Sequence, residues 1–219
     1  MRVQPEGDRH AGVRGPAADR RVQPGPLSPG RQRQPAPALP ARRRGAPPAR
    51  PRRGGAQLHP VHGGFRCDDA ALYPAYQVLE ERGVPLVVHC GTSSFPGAAN
   101  ENADPAYLIP VVRDFPGLNV VLAHGGRGWW YDAAAFLALS QETVWLELSG
   151  LPPKRLPEYY AKFDLGRLAR KWIFGTDWPG VPGIATNARA VAELLPDDAA
   201  RAVLAGNAMK VYAGLHQER

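Results

Sequence analysis

The chain of 219 residues has no apolar run near 18 residues and no signal-peptide core. The first absence argues against a membrane-spanning helix, so we expect no membrane partner. The second favours a cytoplasmic protein. Cysteine is also scarce, because Cys67 and Cys90 are the only two and form no CxxC pair. Two cysteines in a chain of this size indicate a reducing compartment rather than a disulfide framework.

Four short apolar segments each end in a polar side chain. They are "VPLVVHCG", "NVVLAHGG", "TVWLELSG" and "KWIFGTDWPG", and the polar residues are His89, His124, Ser149 and Asp177. Successive polar residues are 35, 25 and 28 positions apart, and a strand–helix–strand unit takes roughly thirty residues. In parallel α/β proteins, functional groups gather at the carboxyl ends of strands. The pattern therefore predicts that these four side chains converge on one face.

The segments between these strands have the composition of helices. "YPAYQVLEERG" has Pro74 near its start and Gly83 as a terminator. Pro110 is expected to start or kink a second helix, and the helix predicted in "PEYYAKFDLGRLARK", after the fourth strand motif, is expected to break near Gly166. Asn207 is predicted to cap the last helix. A further strand in "AQLHPVHGG" precedes the first helix, so the chain is expected to form five strands from about Gly55 onward.

The motifs "LHPVHGGF", "VPLVVHCG", "NVVLAHGG" and "FGTDWP", followed by "LAGNAMKVY", carry a resemblance. In this order and spacing they resemble the second half of an amidohydrolase-related (β/α)8 barrel, the TIM barrel of the metal-dependent hydrolases. The branch that includes aminocarboxymuconate-semialdehyde decarboxylase is the most similar. The resemblance covers roughly residues 54–214 and implies an α/β fold in which strands 4–8 of the barrel are present.

The resemblance also implies a set of site residues. His89 corresponds to the metal ligand of strand five, and His124 to the catalytic histidine of strand six. Asp177 corresponds to the aspartate of strand eight, which is a ligand or a proton carrier. The implied cofactor is a divalent metal, for which we expect zinc.

A divalent metal with an open position lowers the pKa of bound water and polarises a carbonyl or carboxylate oxygen. Attack of such a water on a carbonyl gives hydrolysis, whereas protonation of a carboxylated substrate at carbon gives non-oxidative decarboxylation. The sequence leaves both outcomes open. In either, Asp177 is a candidate proton carrier and His124 a candidate stabiliser of developing negative charge.

The expected partner is a small-molecule substrate, and a homo-oligomer is left open. Candidate substrate-binding residues are His59 in the first strand motif, Arg127 and Trp129 after "NVVLAHGG", and Trp178 after Asp177. Arginine holds a carboxylate through a fork of donors, and aromatic side chains can line a substrate pocket. Solvated arginine and buried aromatic packing are the alternatives for these residues.

One feature of the family is missing from the sequence. Such barrels open with a strand that carries a His-x-His pair of metal ligands. Histidine occurs here at positions 10, 59, 62, 89, 124 and 216, and no two have that spacing. The family's lysine in the strand-four motif is replaced by Gln57. We therefore expect weak metal binding and little or no activity from this chain.

The first 53 residues, where the missing pair would lie, have an unusual composition. Up to Gly55 there are thirteen arginines, eleven prolines, three acidic residues and no lysine, which gives a net charge of +10, while the whole chain carries +7. Such a composition does not support a core and predicts disorder.

Three interpretations of this segment compete: a basic tail, an ordinary disordered extension, or sequence translated out of frame. We favour the last, because GC-rich DNA read out of frame yields Arg, Pro, Gly and Ala. Nucleic acid is a disfavoured partner, since stacking aromatics are absent. The predicted division is a segment 1–53 and an incomplete barrel 54–219 that lacks strands 1–3. The alternative to an enzyme is an inactive fragment or a basic-tailed binding protein.

Overall fold

The computed structural model describes residues 55–180 and 183–213. The interpretations of residues 1–53 concern residues outside these ranges. Five strands in the described part form one sheet, in which every neighbouring pair is parallel and the spatial order is the chain order. The strands are β1 (Ala56–Leu58), β2 (Leu86–Gly91), β3 (Val120–Arg127), β4 (Val144–Glu147) and β5 (Trp172–Ile173). Each predicted strand is confirmed, and the sheet corresponds to part of a barrel.

Helices and turns cross over between these strands. The α-helices are α1 (Pro60–Gly63), α2 (Tyr73–Glu81), α3 (Ile109–Asp114), α4 (Tyr131–Ser140), α5 (Leu156–Tyr159), α6 (Leu165–Ala169), α7 (Ile184–Leu194), α8 (Asp197–Arg201) and α9 (Asn207–Val211). Short 3₁₀ turns cover Ala70–Leu72, Asn100–Ala103, Pro105–Leu108 and Pro153–Arg155, and one π-helical segment, Ala202–Gly206, lies between α8 and α9.

Local sequence explains where several helices begin. Pro110 lies in the first turn of α3 and does not kink it, because a proline there removes no intrahelical hydrogen bond. The helix predicted after β4 is divided into α5 and α6 just before Gly166, as expected. Asp164 accepts a hydrogen bond from the backbone N–H of Arg167 at 2.7 Å and so begins α6 as an N-cap.

The alternation of side chains along the strands gives the sheet two faces. Leu86, Val88, Val120, Leu122, Val144 and Leu146 point to one side, pack with side chains of the helices and are at most 2% exposed. We call this side the outer face.

The opposite side, the inner face, carries Val87, Val121, Trp145 and Ile173, which pack with Ala208, Val211 and Tyr212 near the end of the described chain. His89 and Glu147 lie on the same inner face. Each is two residues nearer to the carboxyl end of its strand than Val87 and Trp145, respectively.

Asn207 does not cap a helix as predicted. Its backbone is helical, and its fully buried side-chain amide donates hydrogen bonds to the carbonyl oxygens of Ala169 at 2.9 Å and Trp172 at 2.8 Å. Buried amides are stabilised by such pairing. Asn207 therefore ties α9 to the entrance of β5.

Within residues 55–180 and 183–213, none of the helices combines the length and the apolar composition that a membrane span requires.

Candidate active site

The carboxyl end of β3 contains a bulge that positions His124. His89 of β2 pairs with Ala123, but Gly91, two residues later, pairs with Arg127, four residues later. The three residues between Ala123 and Arg127 all have left-handed backbones, with φ of +68° at His124, +54° at Gly125 and +85° at Gly126. A bulge re-aims side chains beside a strand end. The "HGG" motif supplies the two glycines that this geometry requires.

The described chain has two residues other than glycine with positive φ, His124 at +68° and Asp177 at +61°. A left-handed backbone costs a residue with a side chain about 1–3 kcal/mol, and such strain gathers at functional sites. Both residues were expected from the sequence to belong to the site.

Gly150 marks the place where three candidate side chains of the site meet. A Cβ atom added to it would lie 2.5 Å from Nη1 of Arg127 and 3.3 Å from both Oδ2 of Asp177 and Nδ1 of His124. Its φ of +67° also favours glycine. The loop after β4 thus allows the guanidinium, the carboxylate and the imidazole to approach one point. The predicted convergence of His124 and Asp177 is present, and Arg127 joins it.

The hydrogen bonds of His124 define its protonation. Nδ1 lies 2.9 Å from the carbonyl oxygen of Ser149 and 3.1 Å from its hydroxyl. A carbonyl oxygen only accepts, so Nδ1 carries the proton. Burial lowers the pKa of His124 and favours the neutral ring, although the bond to Ser149 opposes that shift. Neutral His124 therefore has an unprotonated Nε2.

Glu147 is a site residue that we did not identify from the sequence. Its carboxylate accepts a hydrogen bond from the hydroxyl of Ser149. Burial raises its pKa, whereas hydrogen bonds from Ser149 and from the backbone of His124 act in the opposite direction. A Cβ atom at Gly175 would overlap with Oε1 of Glu147. The alternation in "VWLELSG" carried the signal, because it places Glu147 and Trp145 on the same side of β4.

His89 belongs to a row of histidines beside this cluster. Its ring stacks on that of His59 at a centroid distance of 3.9 Å and meets the edge of His124 at 4.7 Å. His62 continues the row, 4.7 Å from His59, and its Nε2 lies 3.0 Å from Oγ of Ser93. Burial, followed by the neighbouring histidines, lowers the pKa of His89 to about 3. The ring is therefore neutral at physiological pH.

The two tryptophans named as substrate-binding candidates are exposed. Trp129 and Trp178 follow the carboxyl ends of β3 and β5 and are 67% and 66% exposed. The ring of Trp129 meets that of Trp130 edge-on at 6.3 Å. His59, by contrast, is drawn into the histidine row, and its Nδ1 accepts a hydrogen bond from the backbone of His62 at 3.4 Å. Of the four candidates, His59 and Arg127 thus adjoin the cluster most closely.

The described residues do not assemble a complete metal site. Among residues 55–180 and 183–213, no three His, Cys, Asp or Glu side chains group closely enough to hold a metal ion. One nitrogen of His89, Nε2, also lies 3.0 Å from the carbonyl oxygen of Gly91. The chemistry of His89 and Asp177 suits a divalent cation, but a site would require ligands beyond those described.

Three solved structures are similar to this chain in fold. An uncharacterised TIM-barrel protein from Bordetella bronchiseptica matches with 26% identity and a TM-score of 0.60, over 70% of this chain and 54% of that one. A 4-oxalomesaconate hydratase from Rhodopseudomonas palustris matches with 19% identity and a TM-score of 0.53, over 74% and 56%. A dihydroxybenzoic acid decarboxylase from Polaromonas sp. JS666, which holds manganese, matches with 16% identity and a TM-score of 0.51, over 68% and 55%.

The chain spans little more than half the length of each of these proteins. A comparison with curated proteins finds no match. The amidohydrolase family, described as Amidohydro_2, matches residues 3–214 and therefore nearly the whole sequence. The five-stranded parallel sheet corresponds to part of the barrel of the Bordetella bronchiseptica protein. The chain belongs to the amidohydrolase family.

Proposed function

We propose that the protein is a hydrolase that acts on a small carbonyl- or carboxylate-containing substrate through an activated water. The observation that carries this proposal is the convergence of His124, Arg127 and Asp177 around Gly150, at the carboxyl ends of parallel strands. Function gathers at this end in barrels of this type. The family match supports the reaction class.

Each of the three side chains has a role that its chemistry supports. The unprotonated Nε2 of neutral His124 is a general base that can take a proton from water. The guanidinium of Arg127 is a fork of donors for a substrate carboxylate or for negative charge that develops on a carbonyl oxygen. Asp177 lies beside both and is a proton carrier to the leaving group.

Non-oxidative decarboxylation is the second candidate, and the position of Arg127 favours it. A guanidinium in the cluster provides a counter-ion for the carboxylate that is lost. In that reaction the bond between the substrate carbon and its carboxylate breaks, CO₂ leaves, and the carbon accepts a proton from an acid of the cluster. The manganese-containing neighbour is a decarboxylase of a hydroxylated benzoate, which supports this class.

We propose zinc as the metal, because zinc binds both imidazole and carboxylate ligands, the two kinds that His89 and Asp177 provide. When bound, a divalent metal would supply an activated water and polarise a carbonyl. Since fewer than three donors are grouped within the described ranges, we expect the purified chain to hold well under one metal ion per molecule. Measurement of zinc and manganese in the purified protein by mass spectrometry tests this expected metal content. One metal ion per molecule, lost in His89→Ala, would contradict the expectation of a low content.

The site is tested with two panels of compounds, hydroxylated benzoates and small esters or lactones. We expect slow turnover or saturable binding that Arg127→Met weakens by about tenfold, the value of one charge-assisted hydrogen-bonded pair. Arg113→Met is the matched control, because Arg113 is exposed and pairs with Asp114 away from the cluster. Equal losses in the two variants, or neither binding nor turnover in the unmodified protein, would contradict the proposal.

The released product distinguishes the two reactions, since decarboxylation yields CO₂ and hydrolysis yields a new carboxylic acid. A small-molecule substrate, a cytoplasmic location and a homo-oligomer are part of the same proposal. Size-exclusion chromatography with light scattering tests the last of these.

A further inference from the structure

The inner face of β4 carries a partly buried carboxylate for which the proposed reaction has no role. Glu147 accepts a hydrogen bond from the hydroxyl of Ser149, and that hydroxyl lies 3.1 Å from Nδ1 of His124. Glu147, Ser149 and His124 therefore form a continuous hydrogen-bonded chain that ends at the candidate base. The glycine at position 175 leaves the space into which Glu147 fits.

The protons in this chain can be counted. A serine hydroxyl has one proton, and here it is donated to the carboxylate of Glu147. The oxygen of Ser149 thus presents only lone pairs to His124. The carbonyl oxygen of Ser149, 2.9 Å from the same Nδ1, is also an acceptor. Both neighbours of Nδ1 therefore require it to be the donor.

We propose that Glu147 is a positioning residue: by binding the hydroxyl proton of Ser149 it leaves only acceptors facing Nδ1 of His124, so that Nδ1 stays protonated and Nε2 presents a lone pair to the substrate. In the opposite tautomer, neutral His124 would present an N–H group and could not take a proton from water. This inference deepens the proposed function, since it concerns the base of the same site, but its test requires no substrate.

The test records long-range ¹H–¹⁵N correlations of the histidine rings in the full-length chain, uniformly labelled with ¹⁵N, at a pH where His124 is neutral. His124→Gln assigns the signal. We expect a protonated Nδ1 and an unprotonated Nε2 in the unmodified protein. A protonated Nε2 in that spectrum overturns the inference whatever the variants do.

Glu147→Gln probes the role of the carboxylate. Its amide can donate to Oγ of Ser149, which frees the hydroxyl proton to point at Nδ1 of His124. We expect the population protonated at Nε2 to rise about tenfold or more, since a hydrogen bond to a charged group has been lost. An unchanged ratio in a folded Glu147→Gln protein would contradict the inference.

Two further variants separate this effect from general damage to the site. Ser149→Ala removes the hydroxyl but keeps the carbonyl acceptor, so we expect Nδ1 to stay protonated. Glu142→Gln is the matched control, because Glu142 is exposed beside the start of β4, and we expect the ratio to be unchanged. A shift to Nε2 in Ser149→Ala as large as that in Glu147→Gln would mean that loss of the hydroxyl acceptor, rather than a redirected hydroxyl proton, moves the tautomer, and the inference fails. A correct tautomer in a chain without turnover would contradict only the proposed function.

Discussion

The outer and inner faces of the sheet are made by alternate residues of the same strands, yet they differ in what they contribute. The outer face packs into the large apolar core, where Leu122 is fully buried, whereas the inner face forms a small cluster in which Val121 is buried and Val87 is only partly buried. The inner face in turn carries His89 and Glu147, and at their end of the strands the backbone is left-handed at His124. The outer face thus contributes most of the buried apolar surface. The inner face carries the polar groups, and the strained backbone lies at its carboxyl end.

The largest effect is expected on the outer face. Leu122→Ala should lower the free energy of unfolding by about 3–5 kcal/mol, because it leaves a cavity under the helices. Val87→Ala on the inner face should cost about 1 kcal/mol, since that side chain is partly exposed already. Denaturant titration of both variants measures the difference. Equal losses would show that Val87 is as well covered as Leu122.

Gly125→Ala tests the bulge at the end of β3. We expect a loss of about 2–4 kcal/mol, because the added Cβ would meet the hydroxyl of Tyr160 and the backbone is left-handed. Gly83→Ala is the control, since Gly83 has a similar φ of +61° but no atom within 4 Å of the added Cβ. It should cost only about 1 kcal/mol in the same denaturant titration. Similar losses would contradict a role for the contact with Tyr160.

The histidines of the inner face should make stability depend on pH. The pKa of His89 is lowered to about 3 in the folded chain, so the unfolded chain takes up a proton first as the pH falls through about 6.5. Stability is therefore complete above pH 6.5 and should fall below it by up to about 1.4 kcal/mol per pH unit for this group.

Urea unfolding of the metal-free protein between pH 5.5 and 7.5 measures this slope. His89→Gln should reduce it by about one proton. A slope that His89→Gln leaves unchanged would mean that His89 takes up its proton equally in both states.

The smallest effect is expected on the solvent side of the helical layer. Phe136 in α4 is 67% exposed, and Phe136→Ala should change the free energy of unfolding by less than about 0.5 kcal/mol. Thermal unfolding at several protein concentrations provides the check. A loss above about 1 kcal/mol that depends on concentration would indicate that this side of the outer layer is covered by another copy.

Much of the fold and part of the candidate site could be predicted from the sequence. The apolar runs located all five strands, and the spacing of His89, His124, Ser149 and Asp177 indicated parallel order and a common end. These features follow from periodicity and from the length of a crossover, which the sequence displays directly.

The rest depends on backbone geometry and on distant contacts. The left-handed backbones of His124 and Asp177 have no local signature, because neither residue type requires that conformation. Glu147 lies in an apolar run and becomes part of the site only through Ser149. The prediction that Asn207 caps a helix is wrong because its partners, Ala169 and Trp172, are more than thirty residues away in sequence.

That long-range tie has a consequence for how the molecule opens. β5 is a two-residue strand, and its entrance is held by the side chain of Asn207. Local opening of α9 would break both hydrogen bonds that the side-chain amide of Asn207 donates. β5 would then be held chiefly by β4. Hydrogen exchange should therefore find α9 and β5 exchanging as one unit, earlier than the central strands. Asp177, four residues beyond β5, would leave the site in the same fluctuation.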